Sequence, residues 1–551
     1  MSRTRLGRTL STCALLLAFC DVAAPAQTFT SLHSFNGTDG ANPYYVYLAQ
    51  GLDGNLYGTT SSGSGGSADG TIFRITPSGK LTTIYTFCTA MGCSDGSDPQ
   101  SGLVLASNGY FYGATYAGGT SGNSGTLYKT SSAGVVTTLH SFDGTDGADA
   151  YFGPIQATNG NLYGEATGGG ADNVGTLYEI TPAGTYTLLH SFDNSDGRYP
   201  NGSLVQATNG TLYGTTYEGA HGYGGVYELT LAGKFTSLYT FTNGTDGGDP
   251  ADVLIQASNG NLYGTTSTGA HGYGTIFEIT PAGKLTTLYS FCSQTDCADS
   301  GYSYSRLIQA TDGNFYGTTL NGGAYGMGTI FKITPAGKFT TLYSFCAKKD
   351  VSICLDGTSP YEGLVQATNG TFYGVTSAGG THNLGTVFSL SMGLKPFVKT
   401  VTTSGKVGAS VMILGTNLTG TTGVSFNGTA ATPTKITATE IVTTVPAGAS
   451  TGKITVTTPG GVLTSNVAYR VTPQITSFTP TSGPVGTVVT ITGVSLTNTT
   501  HVSFGGVAAT TFTAKSDTEV DATVPTGALT GKINVTTTGG TAVSATNFTV
   551  D

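Results

Sequence analysis

The chain has 551 residues, with 22 Lys and Arg against 31 Asp and Glu, a formal net charge of −9, and only 10% charged residues beside 84 Gly and 30 Tyr. This acidic balance argues against a nucleic-acid partner, whose phosphates are held by clustered Lys and Arg, and against attraction to anionic lipid. The length allows several domains, and a surface rich in Gly, Thr, Ser, Asn and Tyr resembles an extracellular scaffold more than a cytosolic enzyme.

At the N-terminus Arg3, Arg5 and Arg8 precede the apolar run Ala14 to Phe19, and Ala24-Pro25-Ala26 precedes Gln27. This pattern predicts a secretory signal peptide over residues 1–26, with a small-x-small cleavage site and an apolar run too short to stay as a membrane span. Cys20 also admits a lipoprotein reading, although Phe19 stands where processing wants a small residue. Losing Arg3, Arg5, Arg8 and Asp21 leaves 19 basic against 30 acidic side chains, or −11. The mature chain has no other long apolar stretch, so a secreted or cell-surface protein without an integral membrane segment is expected.

From residue 29 onward one pattern returns. A Leu/Phe-Tyr-Gly step recurs with its tyrosines at Tyr57, Tyr112, Tyr163, Tyr213, Tyr263, Tyr316 and Tyr373. Four strand-like segments accompany each step. In the fifth copy they are Val253 to Ala257, Asn261 to Thr266, Gly274 to Ile279 and Leu285 to Phe291, separated by turn formers such as Ser258-Asn259-Gly260. A unit of about fifty residues holding one small sheet cannot bury both of its faces, so it must stack on its neighbours. The last copy lacks a fourth segment, and an orphan copy of it, Phe29 to Phe35, precedes the first. The count therefore predicts a seven-bladed β-propeller over residues 27–391 whose final blade is completed by the N-terminal strand, hiding an exposed edge.

Six cysteines remain beyond Cys13 and Cys20, as Cys88/Cys93, Cys292/Cys297 and Cys346/Cys354, each pair just after the phenylalanine that ends a fourth segment. Three short-range disulfides in an oxidising compartment are expected, since no His or Cys nearby completes a zinc set. Copies without a pair run into Asp-Gly turns, in which Asp caps its own backbone. No cofactor is expected, but calcium stays open where oxygens accumulate at Asp143, Asp146 and Asp149.

Two Thr/Val-rich units, residues 395–471 and 472–551, read as small β-sandwiches. Pro480-x-Ser482-Gly483-Pro484-x-Gly486, followed by Thr490-Ile491-x-Gly493 and Val502-x-Phe504-Gly505-Gly506, resembles the immunoglobulin-like TIG (IPT) fold. The first unit offers Val411 to Gly415 and Val424 to Gly428, but departs from the pattern at Thr403 to Gly408, which lacks the prolines. The Leu-Tyr-Gly-Thr-Thr and Gly-Thr-Ile-Phe-x-Ile-Thr-Pro steps resemble the GloVer tandem repeat, found in exported bacterial proteins with varied C-terminal anchors. The resemblance covers residues 28–390. It implies a secreted or surface bacterial protein and supplies no activity, while the TIG-like units imply spacers or adhesion modules.

If the segments run outward from an axis, the loops after the second and fourth segments share one face. These loops vary, and variable loops on a rigid scaffold are the usual place for binding groups. The ligand-binding candidates there are Tyr116, Tyr151, Arg198, Tyr199, Tyr217, His221, Tyr223, His271, Tyr273, Tyr302, Tyr304, Arg306 and Tyr325. Glu165 and Glu218 are weak catalytic candidates, because a carboxylate pair at the right separation is what glycoside hydrolysis uses. Glu165 otherwise reads as a solvated carboxylate at a loop base. His221 and His271 hold equivalent positions fifty residues apart, too far around a propeller to share a metal. The function expected is a non-catalytic binding or adhesion protein whose variable face takes a glycan or surface polymer. A structural role with an envelope protein partner and a carbohydrate-active hydrolase or lyase stand as alternatives.

Overall fold

The computed structural model describes residues 27–63, 70–89, 92–219, 222–250, 253–294, 297, 299 and 301–551. The expected signal peptide lies outside the described residues. The regular structure of the described chain is β strands, with a 3-10 turn at Ala270–Gly272. No helix among the described residues is long and apolar enough to cross a membrane.

Among the described residues the repeat region holds seven antiparallel sheets in chain order, each built from four main strands, and a two-stranded hairpin of Lys349–Asp350 with Ile353–Cys354. The fifth runs Ile255–Gln256, Leu262–Thr268, Thr275–Ile279 and Leu285–Ser290, innermost first, with Gly248–Pro250 added beside the second strand. The exception in connectivity is the sheet of Val365–Gln366, Phe372–Thr376 and Thr386–Ser391, whose fourth strand is Thr28–Ser34 from the other end of the chain. Thr28 pairs with Ser391 and Ser34 with Thr386, antiparallel, with a bulge between Ser31 and His33.

Two features of the repeat explain why these residues choose this fold. The tyrosine of each Leu/Phe-Tyr-Gly step is buried, and its hydroxyl bonds the turn residue four positions earlier, as in Tyr57 to Asp53 at 2.8 Å and Asn159 to Tyr163 at 2.8 Å. The glycine that follows lies beneath the aromatic ring of the third strand. A Cβ on Gly58 would stand 2.7 Å from the Phe73 ring, and one on Gly164 would stand 2.3 Å from the Tyr178 hydroxyl, so a larger residue would expel the ring.

The phenylalanine ending each outer strand joins one sheet to the next. Phe87, Phe142, Phe192, Phe241, Phe291 and Phe345 are fully buried and pack edge-on against Tyr128, Tyr178, Tyr227, Phe277, Phe331 and Phe388 of the following sheet. Phe35 repeats the contact across the chain ends, packing at 5.4 Å against Phe73 of the first sheet. Its surroundings mix first-sheet Val46, Leu48 and Leu56 with Tyr373, Val375 and Val387 of the last. Each such phenylalanine removes a full side chain from water, roughly 1.5–3 kcal/mol, and the seventh contact makes the succession of sheets a cycle.

Two sandwiches follow, with the same strand order. The first pairs the sheet of Lys399–Thr400, Ser410–Leu414, Glu440–Thr444 and Lys435–Ile436 with a five-stranded sheet, and the second repeats that arrangement from Gln474–Thr479 onward. The missing prolines at Thr403 to Gly408 therefore do not alter the topology of the first unit. Each has its own core, around Val411, Ile413 and Phe426 in one and Val489, Ile491 and Phe504 in the other. The first sandwich docks against turns between first and second strands. Thr439 donates to the Leu52 carbonyl at 2.7 Å, Arg470 to the Thr208 carbonyl at 2.6 Å, and Thr368 and Thr416 share a 2.9 Å hydrogen bond.

Candidate functional site

Tyrosines gather at the mouth opposite the docked sandwich. A cavity of about 360 Å³ is lined by Tyr45, Tyr151, Tyr199, Tyr217, Tyr304 and Tyr361, with Thr167, Asn201, Glu218 and Leu320 between them. All six rings are half-buried. They come from two places in the repeat, the segments entering each inner strand and the loops leaving the second strand.

The entering segments explain the convergence. Each holds a residue with left-handed backbone, such as Asp149, Tyr199, Tyr302 or Ser359 with φ of 57°, 53°, 51° and 55°. Tyr151, Asn201, Tyr304 and Tyr361 each stand two residues after it. In the first sheet the segment Asn42 to Leu48 is one residue longer, and Tyr45 itself takes φ 49°, a conformation that costs a non-glycine residue free energy and so is held by its surroundings. The rings form a contact chain, with Tyr116 to Tyr151 at 4.9 Å, Tyr151 to Tyr45 at 5.5 Å, Tyr45 to Tyr361 at 5.5 Å and Tyr361 to Tyr304 at 6.2 Å. Burial pushes the Tyr45 phenol well up, with Tyr361 and Glu362 acting in the same direction, so it presents a neutral hydroxyl at any physiological pH.

The sequence singled out four of these six rings and missed Tyr45 and Tyr361. Lining up the entering segments on Pro43, Pro200 and Pro360 was the available signal, since Tyr44 and Tyr361 then fall on the position of Asn201. The one-residue insertion that brings Tyr45 over the cavity breaks that alignment.

The other candidates disperse. Arg198 forms an ion pair with Glu218 and lies 5.6 Å over the Tyr199 ring. Tyr273 and Tyr302 pack together at 5.4 Å, away from the tyrosine cavity. Tyr223 and Tyr325 are exposed, the latter beneath Lys349. His271 sits in the 3-10 turn with φ 67°, and His221 lies outside the described residues. Arg306 faces a different cavity, toward the sandwich.

Glu165 is not the solvated carboxylate the sequence predicted. It is 2% exposed, accepts from the Gly202 amide at 2.6 Å and the Tyr227 hydroxyl at 2.7 Å, and burial pushes it up to about 8. Only Glu218 lines the tyrosine cavity, so the two carboxylates do not face one another across it.

Asp143, Asp146 and Asp149 do not converge on a cation. Asp143 accepts from the Thr145 amide and hydroxyl, Asp146 is bonded to the His140 ring at 2.7 Å, and burial raises Asp149. No group of three or more His, Cys, Asp or Glu side chains among the described residues is arranged to hold a metal ion. The contact of Asp146 recurs in every sheet. Asp39, Asp196, Asp95, Asp246, Asp299 and Asp356 bond His33, His190, Tyr85, Tyr239, Tyr289 and Tyr343 at 2.6–3.1 Å. Histidine and tyrosine thus substitute for one another as partners of an aspartate that recurs in every sheet.

Cys88–Cys93, Cys292–Cys297 and Cys346–Cys354 are disulfide-bonded. They occur where ring and aspartate are 10, 10 and 13 residues apart, whereas the unclipped loops span 6 or 7. The bond shortens the free loop that the longer connection would otherwise leave.

The Gloeobacter/Verrucomicrobia repeat model matches residues 20–222 and 218–432, and the IPT/TIG domain model matches 396–471 and 473–550. No curated protein matches. Among solved structures, a fungal alcohol oxidase of the AA5 family in complex with copper is 13% identical over 81% of this chain and 98% of that one, with a TM-score of 0.44. The extracellular domain of a protein described as a hybrid two-component system from B. thetaiotaomicron is 13% identical over 93% of this chain and 65% of that one, also at 0.44. The surface glycan-binding protein PbSGBP-B from Prevotella bryantii is 20% identical over 28% of this chain and 41% of that one, at 0.22. Likenesses this distant carry no argument about function.

Proposed function

From the premise that this chain belongs to the Gloeobacter/Verrucomicrobia repeat family and ends in two TIG domains, we propose a non-catalytic extracellular binding protein. In this reading the seven sheets are the blades of a closed seven-bladed β-propeller, and the tyrosine-lined mouth takes a neutral glycan or other polyhydroxyl polymer. The observation that carries it is the cavity itself, six half-buried tyrosines around about 360 Å³. Tyrosine offers a large apolar face with a hydroxyl at its edge and loses little conformational freedom on binding, which suits the alternating C–H and O–H surface of a sugar. Glu218, the carboxylate in the lining, is already neutralised by Arg198, which favours an uncharged ligand over a polyanion.

Catalysis is no part of this reading, because Glu165 is walled off between sheets and Glu218 is held by its arginine. The disulfides fit an oxidising, extracytoplasmic compartment, and the sandwiches hold the binding face away from the surface to which the chain is attached. A glycan array followed by calorimetric titration of the exported chain tests the proposal. Saturable binding of a neutral saccharide is expected. Binding confined to polyanions, or residing in the sandwich pair alone, would sink it.

A further inference from the structure

A second cavity, of about 320 Å³, lies between the inner strands of the first, sixth and seventh sheets and the first sandwich. Its walls mix apolar Leu48, Ile308, Val365 and Leu414 with polar Gln50, Gln309, Gln366, Thr400 and Asn466. Two cations reach it from different domains, Arg306 from the sixth sheet and Lys399 from the sandwich. Among the described residues neither has a carboxylate within ion-pair distance, and the buried Arg306 Nε has no hydrogen-bond partner. Glu362 is the acid that acts on Arg306, from beyond ion-pair distance: burial pushes its carboxyl up, Arg306 acts in the opposite direction, and its Oε1 has no hydrogen-bond partner.

The repeat position that supplies Arg306 differs from copy to copy. At the position just before the inner-strand Leu or Pro the seven copies carry Tyr47, Gly102, Gly153, Ser203, Val253, Arg306 and Gly363. The two large residues pack together, with the Arg306 guanidinium 5.2 Å from the centre of the Tyr47 ring. Gly102 leaves space for the Tyr47 ring, and Gly363 for the backbone at Arg306. A Cβ on Gly102 would fall 2.5 Å from the Tyr47 ring, and one on Gly363 would fall 2.1 Å from the Arg306 carbonyl oxygen. A cation placed in this way, on an aromatic face and outside any close ion pair, departs from the pairing that interior charges normally require.

We propose that this inter-domain cavity binds an organic carboxylate with an apolar body, its carboxylate gripped by Arg306 and Lys399 and its body lying against the Leu, Ile and Val walls. Guanidinium presents a planar fork that matches carboxylate geometry, and the ammonium supplies a second charge-assisted donor. Burial without compensation pulls the Lys399 ammonium down to about 8, a cost that an anion beside it would offset. The apolar side chains of the wall separate this ligand from phosphate, and the amides of Gln50, Gln309 and Gln366 are already engaged with neighbouring turns, so the hydroxyls of a sugar acid would find few free partners there. Because Lys399 comes from the sandwich, such a ligand would also bridge the two domains.

Calorimetric titration of the exported chain with benzoate, beside benzyl alcohol, phosphate and gluconate, tests the proposal. Benzoate should bind with one site per chain, benzyl alcohol and phosphate should not compete, and Arg306→Met and Lys399→Met should each weaken benzoate by about tenfold or more, the scale of a lost charged hydrogen bond. Lys399→Arg, which keeps the charge, should retain most of the affinity. Thermal melting of each variant checks that it folds, and the lysine pair decides the matter if Arg306→Met does not. Absence of benzoate binding, binding undiminished in Lys399→Met, or equal competition by phosphate or gluconate would overturn the proposal.

Discussion

Glu165 shows most clearly what one residue does when it departs from the repeat. Four of the other six copies carry a threonine at this position, and its hydroxyl can donate to the next entering segment, as Thr59 does to the Ser101 carbonyl at 2.7 Å and Thr318 to the Glu362 carbonyl at 3.0 Å, while Ala114 and Val375 have no such donor. Glu165 instead receives hydrogen bonds from Gly202 and Tyr227 of the next sheet. Burial lifts its folded value to about 8 from 4.5. The folded protein therefore holds a proton that the unfolded chain releases, so this group's contribution is fully present below about 4.5 and is lost as pH rises through about 8. The facing phenols, Tyr178 and Tyr227, are pushed well up and stay neutral through that window. Glu165→Gln should flatten the fall in melting temperature between pH 5 and 8 relative to the unmodified chain, as read by scanning calorimetry. Parallel profiles would show that the carboxyl is not held neutral. Sequence revealed that Glu165 was unusual but not its burial, because exposure depends on how the adjacent sheet covers the strand. The same limit hid Tyr45, whose place over the cavity depends on one inserted residue and a left-handed backbone.

Strands and their connections were the most legible level, since each is a local pattern repeated seven times. The third strand of the fifth sheet and the N-terminal strand fall within a residue or two of the predicted segments, whereas the innermost strand contracts from Val253 to Ala257 to the pair Ile255–Gln256. Inner strands are short because the entering segment bends into the left-handed turn that seats the tyrosines. The ring-to-aspartate contact was legible only in part. The exchange of His140 for Tyr85 reads as structural from the sequence, but its partner aspartate appears only once the loop is folded. Removing Cys88 and Cys93 together as alanines should cost about 2 kcal/mol by the loop-entropy relation for so short a loop and should loosen the Tyr85–Asp95 contact, measurable as faster amide exchange at Cys88 and its neighbours. Unchanged stability would mean that the aspartate holds the loop without the covalent clip. A chain beginning at Asn36 loses the strand that pairs with Thr386–Ser391 and the Phe35 contact to Phe73. Limited proteolysis should then cut early in the first and last sheets, and an equally resistant product would contradict the closing role of Thr28–Ser34.

At the scale of the molecule, the repeat and the two TIG units were readable because each recurs, while their arrangement was not. Nothing in the sequence marks Thr439, Arg470 and Thr416 as the residues that seat the first sandwich on the turns, or Lys399 as the one that reaches the cavity beneath. Docking on one face leaves the tyrosine-lined mouth on the other, so the account turns on what that mouth does. Calorimetric titration of a saccharide found on the array against Tyr45→Ala, Tyr361→Ala and the exposed control Tyr325→Ala is the most direct measurement. The account predicts that each cavity variant loses about 1–3 kcal/mol of binding free energy, as expected for a buried aromatic contact, with melting preserved and Tyr325→Ala indistinguishable from the unmodified chain. Full affinity in Tyr45→Ala and Tyr361→Ala, or a loss confined to Tyr325→Ala, would contradict it.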